Sequence, residues 1–186
     1  FVRALEQEFS INHVETDWSK YEQPTDSGIA QSVFQKKFGR LPSDAEIDDL
    51  RTRFVSLLQE SDKSNPSCFR EIRGAKGILQ FLLGTGEWKV AIATGCWYQS
   101  VMFKLTSADL SIDKVPLSTS NDAADRESIV TLCIEKARRY YGVKDFTKTV
   151  AIGDSPWDVD TARRLKLGFV GVGDGHRLTG LSATGA

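Results

Sequence analysis

The chain has 186 residues, 40% of them hydrophobic and 26% charged, with a net charge of −1. That length suits one α/β core with a small appendage, and the near-neutral charge excludes the basic footprint of a nucleic-acid binder. No apolar run approaches the roughly 20 residues of a membrane helix and no signal peptide is visible, so a cytoplasmic protein with no membrane partner is expected.

Residues 1 to about 70 hold helical patterns and no convincing strand. Phe1, Leu5 and Phe9 share one helix face. A second stripe, Ile29, Val33, Phe34 and Phe38, is entered through Thr25-Asp26-Ser27 and ended at Gly39. Ser43-Asp44-Ala45-Glu46 is a capping box that opens a third helix carrying Ile47, Leu50, Phe54, Leu57 and Leu58. Tyr21, Gln23, Thr25 and Asp26 form a polar loop that either faces a site or serves only to cap the next helix. A polar link from Glu60 to Ser67 follows.

From about residue 72 helix and strand alternate. The pattern predicts a helix over 74–84, a strand over 88–93, a helix over 97–106 and a short strand near 116–119. It continues with a helix over 126–141, a strand over 148–152, a helix over 157–165 and a strand over 168–172. Such alternation implies a parallel sheet with crossover helices.

The chemistry gathers at two strand ends. Val150-Ala151-Ile152 runs into Gly153-Asp154-Ser155-Pro156-Trp157-Asp158, with Pro156 placed as the first helical residue. Asp154 thus sits where open α/β sheets bind ligands. The two carboxylates either hold a hard divalent cation such as Mg2+ or are ordinary acids at a helix start. The strand before it ends in Thr94-Gly95, where a hydroxyl and an unobstructed backbone N–H can hold a phosphoryl oxygen, or where Thr is simply a turn residue. Arg126 opens a helix with Ile129, Leu132, Cys133, Ala137 and Tyr140 along one face. It is either within reach of that site or a plain surface Arg. Lys136, Arg138 and Arg139 lie towards the far end of the same helix. Cys68, Cys96 and Cys133 are odd in number and without metal spacing, so they read as reduced thiols. Cys96 directly follows the Thr94-Gly95 turn. His13 and His176 have no ligand partners at recognisable spacing.

These segments together resemble the second, third and fourth motifs of the haloacid-dehalogenase-like (HAD) hydrolases, most closely the phosphoglycolate-phosphatase-like branch with a helical cap. The resemblance covers essentially the whole chain. It implies a Rossmann-like α/β core over residues 72–186 and an inserted helical cap over residues 1–71, with hinges near 10–27 and 60–72. It also implies a Mg2+-dependent phosphatase that hydrolyses a small phosphorylated metabolite through an aspartyl-phosphate. In that scheme Asp154 binds the metal directly and Asp158 acts through water. Thr94 and Gly95 hold a phosphoryl oxygen, and Arg126, where the family more often has Lys, neutralises charge. The first motif, Asp-x-Asp-x-Thr after an amino-terminal strand, has no counterpart, since the only Asp-x-Asp is Asp158-Val159-Asp160 on a helix. A strand and turn are therefore expected before Phe1, further chain after Ala186, and a gap in the sheet between the strands ending at Thr94 and Gly153. The alternatives are a metal-independent 2-haloacid dehalogenase, which usually has a neutral residue where Asp154 stands, and a non-catalytic binding protein of the same fold.

Overall fold

In the computed structural model, residues 1–175, Gly180 and Leu181 are described; His176 and the segment Ser182–Ala186 lie outside them. The amino-terminal part is helical. Helix α1 spans Val2–Phe9, and α2 spans Asp26–Phe38, starting where the Thr25 hydroxyl accepts from the Gly28 N–H. Helix α2 stops at Gly39, whose φ of 70° is the left-handed turn that glycine adopts without strain. Helix α3, Asp44–Ser64, opens with the expected reciprocal Ser43–Glu46 capping box. Glu46 is held down to a pKa of about 2, first by the Arg40 guanidinium and then by the Ser43 N–H.

Ala4, Leu5, Ile29, Val33, Phe34, Leu50, Phe54 and Leu57 form one buried cluster among these helices. Trp97, from the far part of the chain, completes it with no exposed surface. Its ring lies 5.6 Å from that of Phe1 and 6.3 Å from that of Phe54. The helical part is thus joined to the rest through a shared core residue.

The remainder alternates as read. Helix α4 (Ala75–Thr85) precedes strand β1 (Ile92–Ala93), and helix α5 (Tyr98–Ser107) crosses to strand β2 (Leu117–Ser118). Helix α6 (Arg126–Tyr141) leads to strand β3 (Val150–Gly153), and helix α7 (Pro156–Arg164) crosses to strand β4 (Gly168–Gly171). Strand β1 pairs parallel with β2, Ile92 opposite Leu117, and β3 pairs parallel with β4, Val150 opposite Gly168.

Two features depart from the sequence expectation. The strand foreseen over 88–93 is only two residues long. Its partner is equally short, because Pro116, next to Leu117, has a carbonyl to offer Ile92 N–H but no donor to extend the ladder. The strands also form two separate two-stranded sheets rather than one continuous Rossmann-like sheet. Strands β1 and β3 do not pair. Helix α6 packs on β1 and β2, α7 packs on β3 and β4, and the two helices touch. Helix α4 buries none of its residues, and Ile78, Phe81 and Leu83 are exposed on it. Among the described residues no helix is long and apolar enough to cross a membrane.

Candidate functional site

The turn after β1 is tied down at almost every polar atom. Thr94 N–H donates to the Ser118 carbonyl, and the Cys96 carbonyl accepts from Ser120 N–H. Cys96 N–H donates to the Thr94 hydroxyl oxygen at 3.2 Å. The Gly95 carbonyl accepts from Asp26 N–H at 2.7 Å, and Trp97 N–H donates to Asp26 Oδ2 at 2.8 Å. Among the described residues, Gly95 N–H and the Thr94 hydroxyl proton are left without an acceptor. The N-terminus of α5 follows at once, so both donors sit at the positive end of a helix.

The turn after β3 is organised by Asp158. Its Oδ2 accepts from the backbone N–H of Asp154 at 3.3 Å and of Ser155 at 3.2 Å. Glycine is required at 153, because a Cβ there would lie 2.6 Å from Asp158. The Asp154 carboxylate accepts from the Ser155 hydroxyl at 3.0 Å. Pro156 stands at the first position of α7, as the sequence suggests.

Arg126 joins the two turns. Asp125 caps α6 by accepting from Ser128 N–H, which sets Arg126 at the first helical position. Its guanidinium forms an ion pair with Asp158, both side chains being mostly buried. It also reaches the Pro24 carbonyl at 3.4 Å and lies over the Trp157 ring at 6.0 Å. A Cβ added at Gly95 would stand 2.8 Å from Arg126 Nη1 and 3.2 Å from Thr25 Cγ2. Thr94-Gly95, Arg126 and the Asp154–Asp158 turn, read separately in the sequence, are therefore one cluster. Lys136 is elsewhere, donating to Asp122 and to the Leu117 carbonyl.

The polar loop of the helical part divides. Tyr21 turns to the Glu15 carbonyl, whereas Thr25 and Asp26 reach the cluster. Thr25 both caps α2 and donates to the Ala124 carbonyl, two residues before Arg126. Ser27 exchanges hydrogen bonds with Ser120 and accepts from Trp97 Nε1. The parts played by the Pro24 carbonyl and by Trp97 were not foreseen. One signal was present: Trp97 stands at the N-cap of α5 without a side chain able to cap, so the cap must come from elsewhere. Cys96 is half-buried with Lys104 Nζ at 3.5 Å from its sulfur, Cys133 is buried and Cys68 exposed.

The donor set for a cation is small. Among the described residues no group of three or more His, Cys, Asp or Glu side chains converges. Asp158 is engaged by Arg126 and by two backbone N–H groups, and the Asp154 carboxylate accepts from the Ser155 hydroxyl. One or two such carboxylates, together with substrate phosphate and several waters, would suit Mg2+.

No family model matches the sequence, and no curated protein matches it. The fold has a solved counterpart. The crystal structure of a hydrolase from Pseudomonas syringae superposes with a TM-score of 0.67 at 19% identity, covering 98% of this chain and 80% of that one. Its fold is shared with a hydrolase.

Proposed function

We propose that this chain carries the phosphoryl-binding part of a phosphomonoesterase site, and that the reaction is hydrolysis of a small phosphate monoester. The observation that carries the reading is Arg126, set against Gly95 on one side and Asp158 on the other. Gly95 N–H and the Thr94 hydroxyl would donate to phosphoryl oxygens, and Arg126 would neutralise charge that grows as the ester bond breaks. Asp158 would hold Arg126 and the Asp154 turn in place. Asp154 would hold Mg2+, which when bound supplies charge neutralisation at the phosphate. The attacking carboxylate implied by the HAD resemblance is not assigned to any of these 186 residues. Pro24 and Thr25 would form the wall that the helical part contributes beside Gly95. Three free thiols suit a cytoplasmic setting.

The test is hydrolysis of a generic phosphate ester by the full-length protein with Mg2+. Asp154→Asn should lower the rate by several orders of magnitude, and chelation of Mg2+ should do the same. Unchanged hydrolysis by Asp154→Asn overturns the assignment.

A further inference from the structure

Asp26 belongs to α2, in the helical part, yet both of its hydrogen-bonding ends close on the turn after β1. Its N–H takes the Gly95 carbonyl and its carboxylate takes the Trp97 N–H, across 71 residues of sequence. Helix α5 has no capping side chain of its own; Asn121 Oδ1 accepts its first N–H, at Tyr98, and Asp26 takes the N–H of Trp97 just before it. The clasp spans the three residues Gly95-Cys96-Trp97, and Cys96 between them is fixed by Thr94 and Ser120. With these bonds made, the donors left over are Gly95 N–H and the Thr94 hydroxyl. An anion site of this kind depends on its peptide planes being fixed before the ligand arrives.

We propose that Asp26 is the positioning residue of the anion-binding turn, its backbone N–H and its carboxylate together setting the orientation of Gly95 N–H and the Thr94 hydroxyl. This inference rests on the phosphoryl-binding reading of that turn. A second observation supports it. Asp26 is partly buried, and desolvation pushes its carboxyl above the usual carboxylate range despite the Trp97 N–H and nearby Lys104. A carboxyl held there at an energetic disadvantage fits a role in the site better than a role in stability. The helical part then contributes the geometry of the binding turn as well as a wall.

The experiment is calorimetric titration of inorganic phosphate, with Mg2+ present, into the unsubstituted chain and into Asp26→Ala, Asp26→Asn and Arg126→Ala, each checked for cooperative unfolding. Asp26→Ala removes the acceptor for Trp97 N–H, and its affinity should fall roughly tenfold or more. Asp26→Asn keeps an acceptor oxygen and should stay within about threefold of the unsubstituted chain. Should Asp26→Ala fail to fold, Asp26→Ser replaces it, its hydroxyl being one atom too short for the same bond. If the alanine or serine variant binds phosphate as the unsubstituted chain does, the inference is overturned while the phosphoryl-binding reading stands. Equal weakening in Asp26→Asn also overturns it, because charge rather than the clasp would then be responsible. If the unsubstituted chain does not bind phosphate, or if Arg126→Ala binds it equally well, the reading of the site fails and the inference with it.

Discussion

The helical and the stranded parts of this chain are held together in different ways. Residues of α1, α2 and α3 bury a continuous cluster in which Leu5, Phe34 and Leu50 have no exposed surface. The stranded part has two pairs of short strands, an α4 with no buried residue, and Ile152 and Val170 about half exposed at 59% and 49%. Its buried apolar residues, among them Val101, Ile129, Ala137, Val159 and Ala162, lie mainly on α5, α6 and α7, and polar ties join its loops to each other and to the helical part: the Asp26 clasp, the Ser27–Ser120 exchange and the Arg126–Asp158 pair. The lesson is that a well-packed region can serve as the foundation on which a lightly packed one sets its site. Trp97 is where the two meet.

The largest effect should separate the two parts. Phe34→Ala or Leu50→Ala should lower unfolding free energy by about 3–5 kcal/mol, as large core truncations do. Phe81→Ala, on the exposed face of α4, should change it by less than about 0.5 kcal/mol. Denaturant unfolding at constant slope measures both, and a Phe81 effect as large as that of Phe34 would break the contrast. At the site, Arg126→Ala should weaken phosphate binding by about 10- to 150-fold, the worth of a hydrogen bond to a charged group. Lys136→Ala, whose amine is spent on Asp122 and the Leu117 carbonyl, should bind as before. The reverse order in a titration would place the charge-neutralising residue at the other end of α6.

A smaller loss is expected at the seam. Thr25→Ala removes the cap on α2 and the bond to the Ala124 carbonyl, and should lower stability by about 1–2 kcal/mol. Thr25→Ser should recover most of that in the same thermal scan; a serine variant as unstable as alanine would mean that the methyl packing against Gly95 is what counts.

The smallest effect depends on pH. Burial raises the Asp26 carboxyl above its ordinary 3.8, opposed by the Trp97 N–H, Lys104, the Phe1 amino group and the Ser100 hydroxyl. The folded chain therefore binds this proton more tightly than the unfolded chain. The resulting stabilisation is complete below pH 3.8 and is lost as pH rises through the higher folded value. Asp26→Asn should accordingly melt higher than the unsubstituted chain near pH 7, and the difference should shrink towards acid. A variant that melts lower at neutral pH, with the gap closing in acid, would reverse the sign.

Much of this was legible in the sequence because it is local. The capping box at Ser43, the Gly39 stop, the Arg126 start of α6 and the Gly153–Asp158 turn follow from residues within five positions of one another. Strand length was not, because it depends on the partner, and Pro116 curtails β2 from its own edge. Nor was the Asp26–Trp97 bond, which spans 71 residues and joins segments that no periodicity links. The same holds for Pro24, whose contribution is a carbonyl and so leaves no mark on residue type.

The most direct test of the site is a phosphate titration of the isotope-labelled chain, followed residue by residue in NMR spectra. The Gly95 amide and the Arg126 guanidinium Nε–H should shift together and saturate at one affinity, with the Lys136 region still. Saturable shifts elsewhere, with Gly95 and Arg126 unmoved, would contradict the phosphoryl-binding account.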